Sequence, residues 1–176
     1  MSKKIDENLS FILGRRSVRV YSPGEISPES VTKLLEAAMA APSAMTKDPW
    51  RFVVIREAPT LAKLAGALPG GKMLATASVA IVVAGDLEVA FERQLSYLLQ
   101  DCSACIENLL LAAHALGLGA CWVGVHPEEN SIRRVKELVG LPAPVVPVAV
   151  ISLGHPGEQL EARTRFSAAN VHVEKW

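Results

Sequence analysis

Residues 87–116 carry an almost unbroken helical pattern, which Gly117-Leu118-Gly119 stops and the apolar run 120–125 follows at once. At about 30 residues this exceeds the usual globular helix, so the segment is expected either to break near Gln100-Asp101 or to form one long helix shared with a partner. Its most apolar part, residues 109–125, is interrupted by His114 and three glycines. It falls short of the ~20 residues of a membrane helix and reads as a buried helix running into a buried strand. No membrane partner is expected.

The flanking sequence supplies the rest of an α+β chain. Residues 6–13 form a weak helix ending at Gly14. Ser27-Pro28-Glu29 is a strong helix start, with serine as cap, proline in the first turn and a carboxylate on the dipole. Val31, Leu34, Leu35, Ala38 and Met39 follow at helical spacing until Pro42. Residues 42–49 have no period and two prolines, which predicts a loop before a strand at 50–56. A helix at 60–68, strands at 78–84, 120–125 and 145–153, and a helix at 130–139 ending at Gly140 complete the pattern. The tail from about 155 to 176 has little periodicity but holds Phe166, Val171, Val173 and Trp176. Such apolar groups are expected to pack on something, with a second subunit as one candidate.

Composition narrows the class. The 176 residues suit a single domain, and half of them are apolar, enough for a core without disulfide or metal staples. Lys plus Arg and Asp plus Glu are 18 each, so no global field favours nucleic acid or an anionic membrane. Residues 1–8 are charged without an apolar segment behind them, unlike a signal or transit peptide, so a cytoplasmic location is expected. Three cysteines in such a chain argue for reduced thiols.

In this neutral chain, Arg15-Arg16-Ser17-Val18-Arg19 concentrates three guanidiniums and a hydroxyl. Guanidinium forks match a phosphate dianion, so the segment is an anion-site candidate, with a solvated basic turn as the competing reading. Arg163 and Arg165 would share one side of an extended tail, and alone they say little. Cys102 and Cys105 invite a redox reading. They fall inside a helical run, however, where spacing of three places two small buried hydrophobes on one face. The four histidines stand singly, so metal is discounted. Gly117-Leu118-Gly119 lacks the third glycine and following helix of a dinucleotide fingerprint, and no Walker loop or nucleophile elbow is present.

Taken in order, the Arg15–Arg19 run, Ala41-Pro42-Ser43-Ala44 leading to Asp48-Pro49-Trp50-Arg51-Phe52, Gly117-Leu118-Gly119 leading to Trp122-Val123-Gly124, and a terminal Arg-x-Arg resemble the FMN-dependent nitroreductase family over nearly the whole chain. The resemblance implies an α+β fold with a mixed sheet flanked by helices. It implies an intertwined homodimer with two flavins at the interface and a C-terminal extension reaching the partner. By that resemblance Arg15, Arg16, Ser17 and Arg19 would hold the FMN phosphate and ribityl chain, with Arg163 and Arg165 closing on the same phosphate. Pro42, Ser43, Ala44, Met45 and Thr46 would line the flavin edge. The backbone of Val123 and Gly124 would face the ring near N5. Lys72 would sit near N1 and O2, where a cation favours the reduced anionic flavin; an ordinary surface lysine is the alternative.

The chain departs from the family pattern in three places. Thr46 stands where the family often has Asn, Asp48 where it has Gln, and Met45 is bulkier than the usual small residue. The implied function is transfer of hydride from NADH or NADPH to FMN, then of electrons to a nitroaromatic, quinone or similar small-molecule acceptor by a ping-pong mechanism. No protein acid, base or nucleophile is required. A different flavin reaction, such as dehalogenation or dehydrogenation, or flavin binding without turnover, are the competing implications.

Overall fold

The computed structural model describes residues 9–176, so the start of the helix expected at 6–13 lies outside the described residues. The remainder of that helix is α1, Ser10–Gly14. There follow β1 (Tyr21–Ser22), α2 (Pro28–Met39), β2 (Trp50–Ile55), α3 (Ala58–Ala67), β3 (Val79–Asp86), α4 (Leu95–Ala115), β4 (Gly119–Gly124), α5 (Glu129–Val139) and β5 (Val145–Pro156). Each long element expected from the sequence is present, the helix expected over 87–116 beginning only at Leu95.

The sheet is built around β3 and β5, in the order β4-β5-β3-β2, with β1 pairing to the end of β5. One register row runs Phe52, Val83, Ala149, Gly124 across all four strands. All these ladders are antiparallel. The mixed sheet expected from the resemblance is therefore corrected: among the described residues the parallel component is one isolated bridge, Ser17 to Ala120.

Strand periodicity decides the layering. Along β3, Val79, Ile81 and Val83 point into a core shared with α2 and α4, while Ala80 and Val82 point into a second core with α3 and α5. Both faces are covered, which is why the β3 sequence is a continuous apolar run rather than an alternating one. Ser27 caps α2 as its sequence demands, its side chain accepting the Ser30 N–H at 3.1 Å.

The long helical segment does not break near Gln100-Asp101. Gln100-Asp101 lie within a continuous 21-residue α4. The pattern is broken upstream instead, at Glu92 and Arg93, which take φ of 52° and 53° before the helix begins at Leu95. Asp101 does not interrupt the helix because its side chain turns inward and accepts the Ala44 N–H at 2.9 Å. The far end is a Schellman stop: Gly117 takes φ 71°, its N–H donates to the His114 carbonyl, and the Leu118 N–H donates to that of Ala113.

α4 packs so closely on β3 that a Cβ at Gly85 would stand 2.4 Å from Leu98 Cγ, a fully buried atom group. Gly85→Ala is expected to lower stability by about 1–3 kcal/mol through overpacking. A denaturant midpoint unchanged from wild type would show that α4 can shift away.

Candidate functional site

Residues 15–19 leave α1 and lie along the edge of β4. The Val18 N–H donates to the Ala120 carbonyl at 3.0 Å, beside the Ser17–Ala120 bridge. Glycine at 119 permits this approach, since a Cβ there would be 2.8 Å from Val18 Cγ1. The same Gly-Leu-Gly that ends α4 thus makes room for the basic segment.

Beyond β5 the chain returns to this segment. The Gly157 N–H donates to the Val20 carbonyl at 2.8 Å, and Glu158 Oε1 accepts the N–H groups of Arg19 and Val20 at 2.6 and 3.1 Å. Arg16 donates to the Glu161 carbonyl. These bonds hold the tail against the arginine run and bring in Arg163 and Arg165.

The result is a cavity of about 630 Å³ lined by Arg15, Arg16, Ser17, Arg19, Arg163 and Arg165, together with Ile12, Leu13, Glu158, Leu160 and Thr164. Two arginine groups separated by more than 140 positions therefore face one space, which a solvated basic turn would not require. Glu158 and Glu107, the latter 3.3 Å from Arg15 Nε, offset part of the charge. The remaining guanidiniums leave the cavity cationic, and their fork geometry fits a phosphate monoester dianion. The donor set thus fits the phosphate end of FMN.

The other expected site residues are not gathered there. Pro42, Ser43, Ala44, Met45 and Thr46 form a loop before β2, with Met45, Thr46 and Asp48 at φ of 50°, 52° and 49°. Gly124 is exposed at the far end of β4, next to buried Val123. From the strand pairing, Trp50 lies three strands and about seven residues along from Ala120. Strand spacing and rise convert this to roughly 25 Å, longer than a flavin mononucleotide spans. Lys72, exposed, opens the turn before β3, at the same end of the sheet as Ser17. Within one chain, the basic cavity and the 42–46 loop therefore occupy opposite corners.

The departures at 46 and 48 have visible structural consequences. Ser43 Oγ donates to Asp48 Oδ1 at 2.5 Å and accepts the Asp48 N–H at 3.0 Å, closing the loop on itself. Thr46 Oγ1 donates to the Met45 carbonyl at 2.7 Å. In this arrangement both hydroxyls donate within the chain rather than outward.

Cys102 and Cys105 are fully buried on the inner face of α4, and burial pushes both thiols up to about 12. They pack as small hydrophobes, as their spacing suggested. Cys121, beneath the arginine run, is also raised by burial, with Arg19 and Ser17 pulling the other way.

Sequence reasoning missed Glu158, Glu107 and Asp101. An acidic residue gives no signal of partnership with a segment far away in sequence. Asp101 did carry one: it falls on the apolar stripe of α4, between Leu98 and Cys105, where a charge needs a partner.

The model of the Nitroreductase family matches residues 12–70 and 60–155. A protein from Archaeoglobus fulgidus, provisionally named NADH dehydrogenase/NAD(P)H nitroreductase, is 44% identical over 98% of this chain and all of its own length. A solved structure from Parabacteroides distasonis with the same provisional name superposes with a TM-score of 0.91 at 35% identity, covering 97% of this chain and 99% of that one. A provisionally named nitroreductase from Desulfovibrio desulfuricans, solved in complex with FMN, gives 0.83 at 34% identity over 97% and 98% of the two chains. The fold thus has close counterparts among solved structures, and the chain belongs to the nitroreductase family.

If the cavity binds the FMN phosphate, Arg15→Ala and Arg165→Ala each remove a charge-assisted partner. Each is expected to weaken FMN binding by roughly 10- to 100-fold, as measured by fluorescence-quenching titration. Affinity unchanged in both variants would separate the arginines from the cofactor.

Proposed function

We propose that the chain is an FMN-dependent NAD(P)H oxidoreductase of the nitroreductase type, acting as a homodimer. The observation that carries this reading is the convergence of Arg15, Arg16, Arg19, Arg163 and Arg165 on one cavity in a chain of zero net charge. The FMN complex of the Desulfovibrio relative and the nicotinamide-linked name of the Archaeoglobus relative agree with it.

The arginines would bind and orient the phosphate, Ser17 would add a hydroxyl beside it, and the backbone of Val123 and Gly124, further along β4, would be available to the ring. When bound, FMN supplies the redox chemistry, taking hydride from NADH or NADPH and passing electrons to a nitroaromatic, quinone or similar acceptor in alternating half-reactions. The protein contributes position and electrostatics rather than an acid or base.

Two features of the single chain support a second copy. The 42–46 loop stands too far from the chain's own basic cavity to share one flavin with it, so it serves the flavin of the partner. The tail leaves Phe166 and Val173 76% and 81% exposed and Trp176 wholly exposed, an apolar set suited to a partner surface. Lys72 lies at the same end of the sheet as Ser17, which agrees with a place near its own chain's flavin.

Anaerobic addition of NADH or NADPH to the FMN-loaded protein is expected to bleach the flavin band, and a quinone added next to restore it. Steady-state rates should then give parallel double-reciprocal lines. A flavin that stays oxidised with both nicotinamides would leave a binding protein without reductase activity.

A further inference from the structure

We propose that Asp101 is a positioning residue that fixes the loop of residues 43–48 through its bond to the Ala44 N–H, so that the loop is formed before any ligand arrives. The loop's service to a flavin rests on the function proposed above; its fixation by Asp101 does not.

The loop has an unusual backbone for its sequence. Met45, Thr46 and Asp48 all adopt left-handed conformations that residues with a Cβ avoid, and such strain persists only where surrounding structure over-determines it. Two of the restraints are local. The Ser43–Asp48 clasp joins its ends, and the Arg51 guanidinium donates to the Trp50 and Asp48 carbonyls at 2.8 and 3.4 Å. Asp101 supplies a third from a different element, 57 positions away, with Oδ1 2.9 Å from the Ala44 nitrogen.

Packing alone does not explain an aspartate at this place. Asp101 is only 5% exposed, on the stripe of α4 that otherwise carries Leu98, Cys102 and Cys105, and its Oδ2 has no hydrogen-bond partner among the described residues. An apolar side chain would suit the helix better, since a buried carboxylate with one partner is costly. What the carboxylate gains is a strong acceptor for an N–H at the start of the strained turn. Above it, Met45 is 69% exposed, so the loop is held from beneath and left open outward, as a ligand-facing edge must be. A loop ordered in advance also removes part of the ordering cost of binding.

Amide exchange on the full chain without flavin tests the bond directly. The Thr46 and Lys47 N–H groups, which donate to the Ser43 and Ala44 carbonyls, report the turn. Asp101→Ala and Ala44→Pro delete the same bond from opposite sides, the second without touching α4, while Asp101→Asn keeps the accepting oxygen. Both deletions are expected to speed exchange at Thr46 and Lys47 about tenfold or more, with Asp101→Asn close to wild type and the Leu109 amide unchanged. FMN affinity should fall in the same two variants and recover in Asp101→Asn. Wild-type exchange in a folded deletion variant would overturn the proposal, and Ala44→Pro decides it should Asp101→Ala fail to fold. Exchange that responds as expected in a wild type unable to bind FMN would support the loop's fixation and remove the flavin reading.

Discussion

The seat of residues 15–20 on the ends of β4 and β5 is the contact on which the site depends. Val18 bonds to Ala120, while Tyr21 lies over Gly154, where a Cβ would come within 2.6 Å of its ring. The Tyr21 hydroxyl donates to the Val18 carbonyl at 3.0 Å and shares a 2.7 Å bond with Ser152 Oγ. Burial raises this phenol to about 12, so it stays neutral and keeps both bonds at physiological pH. Two glycines at strand ends thus let a charged segment lie against the sheet.

Once that segment is seated, the tail has something to return to. Glu158 takes the N–H groups of Arg19 and Val20, and the second arginine pair arrives at the first. Glu158 therefore has two effects of opposite sign: it lowers the charge of the cavity and yet fastens the segment that adds two guanidiniums to it. Since the chain carries no net charge, this concentration is a product of folding and has no counterpart in bulk composition.

Much of this was legible in the sequence because the signals were local. The Ser-Pro-Glu start of α2, the Gly117 stop and the β3 run each encode their own geometry. The arginine run announced an anion site, and only the resemblance joined it to Arg163 and Arg165. What the sequence hid was long-range. The break at Glu92 and Arg93 lies in residues without a turn signature, and Asp101 looked like an interruption of α4 because its partner, a backbone N–H at Ala44, has no sequence identity. The sheet's direction is long-range too: the mixed sheet came from the resemblance alone, since pairing depends on how connections cross rather than on any strand's composition.

The central claim is that the arginine cavity recognises a phosphate, and the most direct measurement compares FMN with riboflavin, which has the same ring and ribityl chain but no phosphate. The protein, saturated with each in turn and desalted, should keep FMN and its visible band while losing riboflavin. Equal retention of the two, or retention of neither, would contradict the claim that Arg15, Arg16, Arg19, Arg163 and Arg165 form a phosphate site.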